Sequence, residues 1–472
     1  MSTRPYIVTD AVIVTPEGRF RGYLAVTPPL IDAMGEGTPP AELLKERDVI
    51  DAAGAMLMAG AIDTHVHFRD PGLTRKASIL SESASATAGG VTSYLDMPNT
   101  APPAVTMQAI ADKKEIARRT SSANYGFFLG ATNSNLNEIL RADPTLIPGV
   151  KLFMGSSTGD MLVDSAQTIT SLFRRYKGVI AVHAEDEAVI ARCRAQLRKA
   201  FGDNAPVSLH AMLRPAEACT EATRRAIRMA IENGSRLHVC HISTAAELHN
   251  FSPGPMSGKR ITAETCPHYL YFPDNNPAET NGNGSESPDR LRKCNPAIKS
   301  AADRDALRRA LTEGTIDTIA TDHAPHELAD KQGSLWKAAS GMPGVRFLMP
   351  LMLELTHNVC GLTAERVVEL TSANPAALYS IRRRGRLQPG FYADFILVRP
   401  DIKPRPITPE MAYSHLPAEM RPGCRWTPYA GVATRYLDIT TYVNGLRACD
   451  PQAGVSPEAA GRAMPLEFGA EP

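Results

Sequence analysis

Eight short apolar runs, most of them rich in β-prone residues, recur between residues 60 and 323. Most precede a polar turn and a stretch with helical periodicity, such as ILSESASATAGG or EACTEATRRAIRMAIENG. This alternation predicts an α/β fold, a (β/α)8 TIM barrel, whose catalytic groups sit at the C-terminal ends of the strands. A doubly wound open sheet is the alternative, but neither GxGxxG nor GxxxxGKS/T follows any run. The runs are AIDTHVHF, GVTSYLDM, NYGFFLGA, GVKLFMG, GVIAVHAE, RLHVCHIS, ITAETCPH and IDTIATDH.

The two chain ends differ from this central pattern. Residues 1–58 hold β-like pieces such as YIVTDAVIVT around a Pro- and Gly-rich interruption, and residues 381–449 return to similar pieces. We therefore expect both segments to pair in one small β domain beside a barrel at 59–380. Residues 450–472 are expected to form a loose tail.

Charge and composition narrow the class of partner. Lys and Arg total 51 against 50 Asp and Glu in 472 residues, which argues against nucleic acid or an anionic membrane and favours a small-molecule substrate. No 18-residue apolar run and no signal-peptide pattern is present, so we expect a cytoplasmic protein. The eight cysteines are dispersed without a CxxC pair, which indicates reduced thiols.

Side chains that can bind a metal ion fall in or at the ends of five runs. Because His65 and His67 are two residues apart, both imidazoles project to the same side of a strand, where they can hold a zinc ion. An isolated pair of this kind also fits a half-buried pair making core hydrogen bonds. Further candidates at matching positions favour the metal site: they are Lys151, His183, His241 and Asp322.

Lys151 lies within the apolar run GVKLFMG, where a buried ammonium is costly and would repel a metal ion. Reaction of the neutral amine with CO2 would give a carbamate whose two oxygens can bridge two metals. Pairing of the ammonium with a carboxylate such as Asp322 or Glu185 is the alternative. Asp322 itself suits metal binding and proton transfer, or the capping of the next turn.

Two more histidines and two inserts complete the pattern. His238 is expected to face the other side of its strand from His241 and to serve the core, and His268 in CPHYL is assigned a structural role. The segment KAFGDNAPVSLHAMLRP, residues 199–215, lengthens the fifth connection. A Gly- and Asn-rich polar insert at 273–290 precedes Asn295.

Taken together, these motifs resemble the amidohydrolase superfamily and, within it, the dihydroorotases. The resemblance spans about residues 60–445, and Ala59 is a departure from the proline common at that position. It rests on DTHVHFRDPG, DMPNT, VKLFMGSSTGDM, VHAEDE, HVCHIST, CPHYL, CNPAIKS, IATDHAPH, GMPGV and NPAALYSIRRRGRLQPGFYADFILV.

The resemblance implies a metal centre of two zinc ions. It assigns His65, His67 and Asp322 to one zinc, His183 and His241 to the other, and N6-carboxylated Lys151 to the bridge between them. A hydroxide between the metals would attack the substrate, and Asp322 would shuttle the proton to and from the ring nitrogen.

The resemblance also implies substrate contacts. Arg69 and Asn99 would hold a free carboxylate, for which a guanidinium is geometrically suited; the alternatives are a surface ion pair for Arg69 and an Asx turn for Asn99. Asn295 and His326 would make further contacts. The turn MPGV, with Pro343 and Gly344, would offer backbone groups to a pyrimidine ring.

The activity implied is the reversible hydrolysis of L-dihydroorotate to N-carbamoyl-L-aspartate in de novo pyrimidine biosynthesis. An allantoinase or a dihydropyrimidinase (hydantoinase) is the enzymatic alternative, but those substrates lack the ring carboxylate that Arg69 and Asn99 would bind. A catalytically silent pathway subunit is the other alternative, and lost ligands would be its signature, yet all six are present. The resemblance favours a homodimer, although the sequence reveals no interface.

Overall fold

The expected β strands and helices are present in the computed structural model, which describes residues 4–154, 161–274 and 288–469. The strands before the barrel are β1 (Tyr6–Thr15), β2 (Gly18–Thr27), β3 (Leu30–Glu36), β4 (Asp48–Asp51) and β5 (Met56–Ala59). The barrel strands are β6 (Ala61–Val66), β7 (Val91–Asp96), β8 (Asn124–Phe127), β9 (Leu129–Gly130), β10 (Gly149–Phe153), β11 (Val179–His183), β12 (Arg236–Val239), β13 (Ile261–Thr265) and β14 (Thr318–Ile319). The later strands are β15 (Phe395–Arg399), β16 (Arg405–Pro406), β17 (Ala433–Thr434), β18 (Asp438–Val443), β19 (Leu446–Asp450) and β20 (Gly454–Val455).

The α-helices mostly follow the barrel strands. Ser78, Thr106, Ser165 and Asp186 each accept a backbone N–H at a helix start, which satisfies a donor that the helix leaves unpaired. The helices are α1 (Ala41–Leu44), α2 (Ile79–Ala88), α3 (Met107–Thr120), α4 (Leu136–Arg141), α5 (Ala166–Arg175), α6 (Glu187–Phe201), α7 (His210–Leu213), α8 (Ala216–Asn233), α9 (Ala245–Leu248), α10 (Pro267–Tyr271), α11 (Pro288–Leu291), α12 (Ala301–Glu313), α13 (Leu348–Asn358), α14 (Ala364–Val368) and α15 (Asn374–Tyr379). None of the helices in the described ranges is both long and apolar enough to span a bilayer.

The central strands pair in parallel and in chain order. β6, β7 and β8 form one sheet, and β9 to β14 form the next, so β8 and β9 are two halves of the third predicted strand. The barrel closes where Val66 bridges to His323 in parallel and His67 N–H donates to the His323 carbonyl at 2.8 Å. All eight predicted strands are therefore found in order, which confirms the barrel.

The chain ends form one sheet, as expected from their β-like composition. Its order is β20-β19-β18-β15-β5-β1-β2-β3, with β4 added to β1. β5 pairs with β1 in parallel and with β15 in antiparallel orientation, so the two halves of the chain meet at β5. This confirms a β domain built from both ends; the residue boundaries at 58/59 and 380/381 remain predictions.

The expectation of a loose tail from residue 450 is wrong for residues 450–469. Leu466 and Phe468 are 2% and 3% exposed, and they pack in one cluster with Ile62, Leu95 and Phe128. Leu466 N–H also donates to the Tyr125 carbonyl at 2.8 Å. The segment is rich in Ala, Gly and Pro, but two large apolar side chains at alternate positions attach it to the barrel.

Candidate active site

A cavity of about 500 Å³ lies beyond the C-terminal ends of the barrel strands. Its wall holds nine of the twelve predicted site residues, together with Phe153, Ala324, Ser340 and Gly341. The three predicted residues outside this wall are His326, Pro343 and Gly344. The nine within it are His65, His67, Arg69, Asn99, Lys151, His183, His241, Asn295 and Asp322.

The carboxylate of Asp322 faces both histidines of the HxH pair. Its Oδ1 lies 3.0 Å from His67 Nε2 and 3.4 Å from His65 Nε2. Asp322 follows β14 with a positive φ of 47°. A non-glycine residue in this left-handed region carries strain, which is typical of functional sites.

The other ring nitrogen of each histidine is held by a neighbour. His65 Nδ1–H donates to Glu264 Oε1 at 2.9 Å, and His67 Nδ1–H donates to Asn99 Oδ1 at 2.6 Å. Both Nε2 atoms therefore carry a lone pair directed at an anionic oxygen of Asp322. The two Nε2 atoms and the Asp322 oxygen are all acceptors, so they repel one another unless a cation lies among them.

Glu264 on β13 was missed in the sequence, although a charged residue within an apolar run is the signal that singled out Lys151. It also accepts from Thr64 Oγ1 at 2.8 Å, and its Oε2 lies 3.3 Å from His238 Nε2. His238 therefore contacts the same carboxylate as His65 and does not face away from it. It is fully buried and does not line the cavity, which agrees with the core role expected for it. The strand β12 ends at Val239, so the alternation of side chains along a strand does not extend to His241. It therefore cannot predict the direction of His238 relative to His241.

His183 and His241 form the opposite side of the cavity. His183 Nδ1 lies 2.9 Å from His241 Nε2, and His183 Nε2–H donates to Glu185 Oε2 at 2.9 Å. Arg214 forms a buried ion pair with the same Glu185 oxygen. Burial raises the pKa of Glu185, but Arg214 and His183 outweigh it and hold the pKa at about 2. The ionised carboxylate thus orients His183 toward His241.

Lys151 is fully buried on β10 and lines the cavity. Its Nζ donates to Cys240 Sγ at 3.0 Å and lies 5.4 Å from the centre of the Phe153 ring. Among the described residues no carboxylate forms an ion pair with Lys151. The alternative expected from the sequence, pairing with Asp322 or Glu185, is therefore wrong. A buried ammonium held only by a thiol and a ring is unfavourable.

Burial keeps the His65 imidazole neutral, and the neighbouring histidines keep Asp322 ionised. Burial, with Lys151 nearby, lowers the pKa of His65 to about 4. Burial raises the pKa of Asp322, but His65 and His67 outweigh it and hold that pKa well below its usual value. Neutral imidazoles and ionised carboxylates are the forms that bind metal ions.

These donors fit a metal centre. Ligand atoms of His65, His67 and Asp322 lie within 4.8 Å of one another, and all three side chains are buried. Imidazole and carboxylate ligands suit zinc, and the contacts of Glu264 and Asn99 with the outer ring nitrogens are typical of metal-binding histidines.

Arg69 follows β6 and is 3% exposed, so it is not a surface ion pair. Its Nε donates to the Pro325 carbonyl at 3.3 Å, and its Nη2 lies 3.3 Å from His326 Nε2. Lys76 Nζ lies 3.0 Å from the other nitrogen of His326. Burial and these two cations lower the pKa of His326 to about 2, so its ring is neutral beside Arg69.

Pro343 and Gly344 of the MPGV turn do not line the cavity, where the sequence predicted them to contact the substrate. Gly344 N–H donates to His323 Nδ1 at 3.0 Å, and Pro343 and Gly344 line a separate space of about 290 Å³. The amide of Gly344 is therefore engaged within the protein, and Ser340 and Gly341 take the place at the cavity wall. Most of the polar insert that precedes Asn295 lies outside the described residues.

A (β/α)8 barrel with imidazoles and carboxylates gathered at its C-terminal face is typical of metal-dependent hydrolases. The Amidohydrolase family profile matches residues 56–425. The chain belongs to the amidohydrolase family, and it is a cyclic amidohydrolase.

Three relatives illustrate the range of similar proteins. A dihydroorotase of Halobacterium salinarum is 33% identical over 90% of this chain and 92% of its own length. An allantoinase of Bacillus velezensis is 31% identical over 93% of this chain and 94% of its own. The solved structure of an L-hydantoinase (dihydropyrimidinase) from Arthrobacter aurescens superposes with a TM-score of 0.86 at 26% identity, covering 98% of this chain and 99% of that one.

Proposed function

We propose that this cyclic amidohydrolase is a dihydroorotase, which opens the ring of L-dihydroorotate to N-carbamoyl-L-aspartate and closes it in reverse. The observation that carries the proposal is Arg69. Its guanidinium is buried in the cavity wall, and none of the described carboxylates forms an ion pair with it.

A buried cation without an anion is costly, and a ligand that brings a carboxylate removes the cost. Dihydroorotate carries a carboxylate on its ring, whereas allantoin, hydantoin and dihydrouracil do not. Asn99 lies at the same wall and uses its Oδ1 on His67, which leaves its amide N–H groups for a second contact with the carboxylate. Arg69 and Asn99 together favour an acidic substrate.

The metal ligands follow from the donor set. His65, His67 and Asp322 would hold one zinc ion, His183 and His241 a second, and Lys151 as its carbamate would lie between them. Zinc bound there supplies Lewis acidity, which lowers the pKa of water and polarises a carbonyl. Carboxylation would also replace a buried cation beside the ligands with an anion.

The chain's own residues then perform the remaining tasks. Arg69 and Asn99 hold the carboxylate and so fix which ring carbonyl faces the metal-competent side of the cavity. Asp322 accepts a proton from the water that adds to that carbonyl carbon. It returns the proton to the ring nitrogen as the carbon–nitrogen bond breaks, leaving a new carboxylate and a ureido group.

The relatives support the class and leave its substrate to experiment. Dihydroorotases and allantoinases match with similar identity, so an allantoinase is the second candidate. The zinc-loaded protein should be assayed with L-dihydroorotate, allantoin, hydantoin and dihydrouracil, with metal counted per chain.

We expect turnover of dihydroorotate alone, with about two metal ions per chain. Turnover of only the uncharged rings would overturn the proposal in favour of an allantoinase or hydantoinase. No turnover despite bound metal would instead indicate a catalytically silent subunit.

A further inference from the structure

The segment that lengthens the fifth connection, residues 199–215, contributes two buried side chains beside the cavity. Arg214 pairs with Glu185 behind His183, on the metal-binding side. His210, on α7, reaches the opposite side, where its Nε2 lies 2.9 Å from the Cys294 carbonyl and 3.1 Å from Asn295 Oδ1. Asn295 itself lines the cavity.

The two contacts of His210 determine which ring nitrogen carries the proton. A carbonyl oxygen can only accept, so Nε2 must be the protonated nitrogen that donates to Cys294. Nδ1 then carries a lone pair, and it has no hydrogen-bond partner among the described residues. Burial, with Lys293 and Arg214 nearby, lowers the pKa of His210 well below its usual value, which keeps the ring neutral.

This tautomer also determines the orientation of the Asn295 amide. A protonated Nε2 accepts nothing, so the amide must present its oxygen, not its nitrogen, to His210. The Asn295 N–H groups are thereby available to the cavity. The side chain thus becomes a hydrogen-bond donor toward a bound ring.

The segment that carries His210 is held in place by apolar packing. Leu209 and Leu213 are 4% and 6% exposed and belong to one apolar cluster with Val189, Ile190 and Leu335. Leu335 N–H donates to the Ala205 carbonyl at 2.8 Å. A ring held in this way can fix a neighbour's rotamer at little further cost in entropy.

We propose that His210 is a positioning residue that holds Asn295 with its amide N–H groups toward the substrate, so that the site selects a ring with a carbonyl acceptor at that wall. The proposal deepens the proposed function and rests on it, since Asn295 must contact the ring. His210 itself touches no reacting atom.

The test is a double-mutant cycle on the zinc-loaded protein with L-dihydroorotate. His210→Leu should raise KM about three- to tenfold, the effect of one hydrogen bond, with kcat and metal content unchanged. His210→Gln places an amide N–H near the position of Nε2 and should restore KM, whereas His210→Asn is shorter and should not. In an Asn295→Ala background, His210→Leu should change KM less than about twofold.

An equal rise in KM with and without Asn295 would overturn the proposal, because His210 would then act by packing alone. An unchanged KM in His210→Leu would also overturn it. If His210→Leu fails to fold, the KM values of His210→Gln and His210→Asn are compared instead. Equal KM values in these two variants would overturn the proposal. If the parent protein does not turn over dihydroorotate, the proposed function fails instead, and the cycle is run on whichever cyclic amide is hydrolysed.

Discussion

The Lys151 ammonium lies 3.0 Å from the Cys240 sulfur; both side chains are buried, and Lys151 lines the cavity. Burial raises the pKa of the Cys240 thiol to about 12, so the thiol is neutral and does not balance the ammonium. The positive charge of Lys151 is therefore unfavourable at this position. Conversion of the amine to a carbamate beside metal ions would remove that charge.

Replacing Lys151 by alanine should lower both metal content and activity. Short carboxylic acids such as acetate should restore part of each, because a carboxylate can occupy the place of the carbamate. Metal counting and turnover with and without added acid check the prediction, and Lys199→Ala on the exposed face of α6 is the control. Full activity in Lys151→Ala would contradict the carbamate proposal.

Arg69→Met should weaken dihydroorotate binding with the metal ions retained. Loss of a hydrogen bond to a charged group costs about 1.5–3 kcal/mol, which corresponds to a rise in KM of about 10- to 150-fold. Arg75→Met, at a 58% exposed arginine that pairs with Asp330, is the matched control. Loss of metal in Arg69→Met would show that the side chain supports the ligands instead of the substrate.

Glu264→Gln should weaken metal binding without unfolding the barrel. The glutamine retains the shape of the side chain but loses the charge that orients His65, and such outer contacts contribute about 10- to 100-fold in metal affinity. Competition with a chelator measures the affinity. Glu354→Gln on α13 is the control, since Glu354 is also buried but accepts from Arg435, away from the cavity wall. Equal affinities in both variants would show that Glu264 serves packing alone.

Lys331→Met should destabilise the fold, and more so at higher pH. Lys331 is fully buried and donates to the carbonyls of Lys293, Ala339 and Gly341 at 2.8–3.0 Å. Leaving buried carbonyls unpaired costs about 1–3 kcal/mol or more.

The pH dependence follows from proton binding. Burial lowers the pKa of Lys331 from 10.5 to about 7 in the folded protein. Above pH 7 the unfolded chain therefore holds more protons than the folded one, so the contribution of Lys331 to the free energy of unfolding rises with pH up to about 10.5, by at most about 1.4 kcal/mol per pH unit. Urea unfolding between about pH 6 and 9, with exposed Lys337→Met as control, should show the gap to the wild type widening. A gap that narrows as pH rises would contradict the prediction.

Local pattern was sufficient for the barrel and for the metal-competent residues. Strands covered on both faces read as apolar runs, and their C-terminal ends meet on one face of the closed sheet. For this reason His65, Lys151, His183, His241 and Asp322 could be assigned to one place before any contact was known, and the structure brings them to one cavity.

The sequence by itself thus determined the order of the strands, the β domain built from both ends, and which side chains converge on one face of the barrel. Only the tertiary structure decided how those side chains are held: Glu264 on His65, His210 on Asn295, and Gly344 turned toward His323. These contacts join residues separated by between 21 and 199 positions. They depend on barrel closure and on rotamers packed against distant elements, and no local periodicity encodes either of these.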